Sequence, residues 1–283
     1  MIFLEVKDIS RNLKSKYQKL QDYLLELGSV TVAFSGGVDS TFLLKAAKDV
    51  LNDKVLAVTV HSENHSGRDL EMALKLAEKL GIKHLIITPF LLKNRQFVNN
   101  TPQRCYYCKK QIFTEILKIA GENKSNAVIE ASNKDDEKDF RPGLKALDEL
   151  GILSPLRKFS FSKNEIRNIS KRLSLETYSH PSSSCLVTRV PYGIKLDEKI
   201  LIQIDKAEDY LLKLGFTNVR VRYHREVARI ETEPSEFQKM IKLKSKIAEF
   251  FKKLGFTYTA VDLEGYRNGS LNSLVDKNQG SVD

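Results

Sequence analysis

Cysteine is scarce in this chain, three among 283 residues, which is too few for a disulfide framework. The first residues put Glu5 directly after three apolar ones and offer neither a basic leading stretch nor an apolar core, so they do not read as an export signal. The expected compartment is therefore the reducing, cytoplasmic one, where three thiols are available for other chemistry. No run approaches the roughly 18 apolar residues of a membrane-spanning helix. Also missing is the G-x-x-x-x-G-K spacing of the Walker phosphate loop, together with its lysine. The chain is not short of hydrophobicity: 41% apolar and 29% charged residues lie outside the disordered regime, and the length suits two compact domains. A net charge of +10 is spread unevenly, with 30 basic against 22 acidic residues through Arg189 and 16 against 14 beyond. That balance suits a protein handling phosphates and does not by itself call for nucleic acid.

Apolar residues Ile9, Leu13, Tyr17, Leu20, Leu24 and Leu27 recur at helical spacing before Gly28. The period then changes to a short apolar run at 30–34, a Ser-Gly-Gly turn and a new helical pattern through Val50. Strands at 55–60, 85–88 and 127–131 alternate with helices at 66–80 and 105–120, and Ser162 with Glu165 forms a capping box for one more helix. Such alternation predicts crossover units on a parallel sheet. Between 176 and 193 the pattern fails at Pro181, three serines and Pro191, which reads as a linker. Beyond it come a helix at 197–214, strands at 219–223 and 227–230, a helix at 235–254 and a strand at 258–263. Lys-Leu-Gly-Phe-Thr occurs at 213–217 and again at 253–257, which suggests two similar halves.

Ser35-Gly36-Gly37-Val38-Asp39-Ser40 lies where the first strand turns into a helix, the place where open parallel sheets bind ligands. Two glycines admit an anion close to the backbone, successive amides form a nest, Ser35 and Ser40 add hydroxyls, and the helix N-terminus adds positive potential. Asp39 would repel a bare phosphate, so its presence implies a bridging Mg²⁺. An ordinary Gly-Gly turn is the alternative. This loop resembles that of the PP-loop ATP pyrophosphatase superfamily, whose members adenylate an oxygen and release pyrophosphate. With Thr101-Pro102, the 139–146 segment Asp-Phe-Arg-Pro-Gly-Leu-Lys-Ala, 189–193 Arg-Val-Pro-Tyr-Gly, and the 219–224 and 228–231 segments, the chain resembles the LarE family of ATP-dependent sulfur transferases from about 30 to 271.

The resemblance implies an α/β fold: an N-terminal PP-loop, adenine nucleotide alpha hydrolase-like parallel sheet domain (1–180), a linker carrying Cys185 (181–193) and a smaller C-terminal α+β domain for substrate and oligomerisation (194–283). It implies an enzyme that uses ATP and Mg²⁺ to adenylate a carboxylate of pyridinium-3,5-biscarboxylic acid mononucleotide and inserts sulfur to give a thiocarboxylate, a precursor of the nickel-pincer nucleotide. A sulfide source and a homo-oligomer go with that reading, while a membrane and nucleic acid do not. The carboxylate is a poor electrophile, and an AMP ester supplies the leaving group it lacks.

Many LarE-like sequences carry only the cysteine corresponding to Cys185, which gives up its own sulfur. Here Cys105 and Cys108 add a C-x-x-C, and three thiolates suit three irons of a 4Fe-4S cluster whose fourth iron is open to hydrosulfide. A zinc site of the three thiolates with His180, a redox pair and inert buried thiols are the competing readings. Arg220 and Arg222 alternate on one strand and so share a face, where a nucleotide phosphate would join them, with Arg189 completing the site. A solvated basic strand is the alternative. By resemblance Glu231 and Glu208 stand near a second metal, and Ser62 follows the second strand as a neighbour of the adenine or ribose. The acidic segment 133–139 follows a strand end, where ligand loops gather. A 4Fe-4S tRNA thiolation enzyme is the rival function, disfavoured by Val38 where such enzymes carry lysine; a non-enzymatic ATP-binding regulator is a third.

Overall fold

The computed structural model describes residues 10–138, 142–180 and 184–267. The chain divides into two compact units, Met1–Phe90 with Cys105–Ser183, and Leu91–Arg104 with Ser184–Asp283.

In the first unit α1 (Arg11–Leu27) is opened by the Ser10 hydroxyl, which accepts from the Leu13 amide, and closed at Gly28 with φ 74°. Next come β1 (Val30–Ala33), α2 (Val38–Leu51), β2 (Val55–Val60), α3 (Gly67–Lys79) and β3 (Lys83–Ile87). After a short helix in the other unit, α4 (Arg95–Val98), the unit resumes along α5 (Arg104–Glu122) to β4 (Ala127–Ile129), α6 (Pro142–Glu149), α7 (Pro155–Lys158) and α8 (Lys163–Arg172). All four strands are parallel, in the order β3-β2-β1-β4, with Val30 opposite both Val55 and Ala127. Because β2 and β4 flank β1, the loops after β1 and β4 part in opposite directions and leave a crevice at the carboxyl ends. Leu20, Leu24, Val30, Val32, Phe42, Leu43, Phe161 and Ile166 share one buried core, each large side chain contributing about 1.5 to 3 kcal/mol. The capping box forms as expected, with Ser162 and Glu165 each accepting the other's backbone amide.

The second unit holds α9 (Glu198–Lys213), an antiparallel pair β5 (Arg220–His224) and β6 (Val227–Glu231), α10 (Phe237–Lys242), α11 (Lys244–Lys253) and β7 (Tyr258–Val261), which is parallel to β6. The single helix expected at 235–254 is bent at Leu243 (φ −99°, ψ 6°), so that Met240 before the bend and Ile247 and Phe251 after it meet the same core. Both copies of the pentapeptide close a helix in the same way. Gly215 (φ 82°) and Gly255 (φ 98°) turn the chain, and the following Phe216 and Phe256, both buried, donate their amides back to Leu211 and Phe251. This is the Schellman arrangement, which needs glycine at the left-handed position.

Segment 91–104 departs from a linear division of the chain. The Asn100 amide group donates to the carbonyls of Pro191 and Ile194 at 2.8 Å, and Arg104 donates to Asn100 Oδ1 and lies 4.4 Å over the Tyr192 ring. Within 184–193, Leu186, Val187 and Val190 are almost wholly buried.

Candidate functional site

The loop between β1 and α2 is held open by its own hydroxyls. Ser40 Oγ donates to the Gly37 carbonyl at 3.2 Å, accepts from the Ser35 amide at 3.3 Å and lies 3.1 Å from Ser35 Oγ. Gly36 has φ +71°, and a Cβ there would stand 3.1 Å from the backbone of Ala73 on α3, so glycine is required by conformation and by space. Asp39, in the first turn of α2, points one carboxylate oxygen at Lys163 Nζ (2.6 Å) and Asn133 Nδ2 (3.4 Å), while its buried Oδ1 has no hydrogen-bond partner. Burial, the largest influence, pushes the Asp39 carboxyl above its ordinary value against the pull of Lys163, and Asp136 adds to the rise. A buried oxygen left bare at the N-terminus of a helix beside a phosphate-binding nest fits a Mg²⁺ ligand.

Lys163 and Asn133 reach the site from the loops of β4 and α8. Sequence spacing hid Lys163, which is 124 residues from Asp39; its one visible signal was its place as the first residue after the Ser162 cap. Asn133 begins the acidic segment singled out above, and Asp136 accepts its amide at 2.9 Å. Ser62, buried just past β2, places its hydroxyl 2.7 Å from Asn64 Oδ1 and 3.0 Å from His65 Nδ1. Burial holds the His65 imidazole neutral, with its pKa lowered to about 4. A carboxylate that sequence reasoning did not single out, Glu130, is buried past β4 and accepts from the Ser132 amide, the Ser132 hydroxyl and Ser154. Lys109 Nζ lies 3.9 Å from it, and Gly143 leaves the space that the Lys109 stem occupies.

In the second unit Arg189 forms a two-pronged pair with Glu208, Nε to Oε1 at 2.9 Å and Nη2 to Oε2 at 3.0 Å. Burial alone would raise the Glu208 carboxyl, yet Arg189 and the Val221 amide hold it below its ordinary value. Arg222 pairs with Glu231 at 2.7 Å, and Glu231 also meets Arg229 at 3.1 Å. Arg220 and Arg222 do share a face of β5, opposite the apolar face of Val221. Arg220 donates to the Val219 carbonyl and lies 5.1 Å from the Tyr266 ring.

Cys105 and Cys108 occupy one face of the first turn of α5, the former exposed and the latter half-buried, and Cys185 is half-buried; none is in a disulfide. Among the described residues no three His, Cys, Asp or Glu side chains are gathered as a metal-binding group. His180 lines a cleft with Arg68, Lys75 and Lys79. Asp139, Phe140 and Arg141 lie outside the described residues. No helix among the described residues is long and apolar enough to cross a membrane.

The NAD synthase family matches residues 9–104, which hold β1 to β3 and the phosphate loop. Parallel sheet, switch-point crevice and loop together define a PP-loop nucleotide-binding protein, a class with which ATP and Mg²⁺ binding go. The pyridinium-3,5-bisthiocarboxylic acid mononucleotide synthase of Lactiplantibacillus plantarum is 39% identical over 268 residues, 94% of this chain and 97% of its own length. The chain belongs to that enzyme family, the LarE family. Uncharacterized proteins of Synechocystis (37% identical over 94% of this chain and 100% of its own length) and of Methanocaldococcus jannaschii (29% over 95% and 100%) are similar along the same span.

Proposed function

We propose that this chain is an ATP-dependent sulfur transferase acting on pyridinium-3,5-biscarboxylic acid mononucleotide. The observation that carries the reading is the bare, buried Oδ1 of Asp39 at the phosphate loop, in a chain related over almost its whole length to a synthase of the corresponding bisthiocarboxylic acid. Ser35 to Ser40 would cradle the pyrophosphate end of ATP, with amides and hydroxyls aimed at its oxygens. Asp39 would hold Mg²⁺, which supplies charge neutralisation on the phosphates. Lys163, 2.6 Å from Asp39, would turn its ammonium group from that carboxylate to donate a hydrogen bond to a phosphate oxygen. A substrate carboxylate oxygen attacks the α-phosphorus, the bond to the bridging oxygen breaks, and pyrophosphate leaves with the electron pair. Ser62 neighbours the adenine or ribose, and Arg220 with Arg222 and Arg189 offers positive charge to the mononucleotide phosphate.

The thiols supply the second half. Two cysteines a helical turn apart and a third outside any disulfide suit the donor set of an iron-sulfur centre, and a 4Fe-4S cluster on Cys105, Cys108 and Cys185 would supply an iron open to external sulfide. Glu208 and Glu231 as ligands of a second metal, a homo-oligomer and a cytoplasmic setting complete the reading. The decisive assay is pyrophosphate release from ATP and Mg²⁺ with and without the mononucleotide. Release that depends on the mononucleotide is expected; release with a tRNA substrate only would favour the rival thiolation enzyme, and ATP binding without release would favour a regulator.

A further inference from the structure

Two buried arginines, Arg189 and Arg222, reach the backbone around Cys185. The turn Leu186–Arg189 that follows it is four residues of 3-10 helix, too short to hold its shape alone. Arg189 Nη1 faces the Ser184 carbonyl and hydroxyl at 2.7 Å, the Cys185 carbonyl at 3.0 Å and Thr188 Oγ1 at 3.0 Å. The Cys185 carbonyl also accepts from the Thr188 amide at 3.0 Å and its hydroxyl at 2.7 Å. Arg222 Nη1 donates to the Thr188 carbonyl at 2.8 Å. Each arginine is fixed in turn by a buried carboxylate, Glu208 on α9 and Glu231 on β6, and Glu208 Oε1 also accepts the Val221 amide of β5 at 2.9 Å.

Arg189, Glu208, Arg222 and Glu231 are all less than one-tenth exposed. Burying four charges is a poor route to stability, because apolar residues of similar volume usually do as well or better. What a charged framework adds is a single permitted geometry, since each fork accepts only one arrangement of its partners. We propose that the Arg189–Glu208 and Arg222–Glu231 pairs are positioning residues that fix the backbone carrying the Cys185 thiol for sulfur transfer. The inference rests on the reading that Cys185 takes part in that transfer.

The test measures how fast each cysteine of the full chain, freed of bound metal by a chelator, is alkylated by iodoacetamide, resolved peptide by peptide. Arg189→Gln and Glu208→Gln are expected to raise the Cys185 rate about tenfold, the factor that matches loss of one hydrogen bond to a charged group. Cys105, in the other unit, should keep its wild-type rate and serves as the internal reference. Should Arg189→Gln fail to fold, Thr188→Val leaves both ion pairs in place and removes the bonds that the Thr188 hydroxyl makes to the Cys185 carbonyl and to Arg189 Nη1; a smaller rise at Cys185 alone is expected. In turnover Thr188→Val should lower the rate of thiocarboxylate formation and leave pyrophosphate release unchanged. An unaltered Cys185 rate in all three variants, or a raised KM for the mononucleotide as the only effect of Arg189→Gln, would overturn the proposal. Alkylation needs no substrate, so its outcome stands apart from whether the proposed reaction occurs.

Discussion

Asp39 is a residue whose cost and use can be separated. Its folded carboxyl binds a proton more tightly than the unfolded one, so the stability it contributes is full below the unfolded value and is lost as pH rises through the raised folded value. At neutral pH the ionised, partly unpartnered group is then a liability to the fold. Asp39→Asn is expected to melt no lower than wild type at pH 7, with the two melting temperatures converging toward pH 4, while mononucleotide-dependent pyrophosphate release is abolished. Calorimetry across that range checks the first half; a drop of several degrees at pH 7 would mean that the pair with Lys163 outweighs burial. The Ser, Gly and Asp of this loop were legible because they are contiguous. Lys163 was not, because side chains brought together by the crossover of a parallel sheet leave no spacing to read.

At the scale of elements, the short β1–α2 turn shows where glycine is indispensable. Gly36 has φ +71° and faces the α3 backbone at 3.1 Å, whereas the nearest atom to a Cβ at Gly37 is Ser35 Oγ at 3.4 Å. Gly36→Ala should lose about 1 to 3 kcal/mol from backbone strain and crowding, and Gly37→Ala should fold at nearly wild-type stability. Urea unfolding of the two variants distinguishes them, and equal losses would indicate that α3 yields. Helices with glycine stops and capping residues were readable in the sequence, since their signals are local: Gly28 ends α1, Ser162 opens α8, and the repeated pentapeptide closes α9 and α11. The bend at Leu243 has no such signal. It serves three apolar residues that must reach one core, a demand set by packing.

For the whole molecule, the question is whether the protein turns over or is consumed. If the three thiols hold a cluster, protein supplied with sulfide should make more than one thiocarboxylate per chain at constant mass. Each single Cys→Ala variant should lose iron and sulfur transfer yet still release pyrophosphate. A loss of about 34 Da at Cys185, one H₂S, would mark a sacrificial route. Mass spectrometry with iron analysis decides between them. The sequence by itself determined the alternation of strands and helices and the phosphate loop, because each is written in neighbours a few positions apart. Tertiary structure decided that 91–104 joins the second unit through Asn100 and Arg104, that Lys163 meets Asp39, and that Arg189 and Glu208 embrace each other at the Cys185 turn. Buried charges and amides must find partners wherever the fold brings them, and which partner that is depends on distances in space that chain order does not encode.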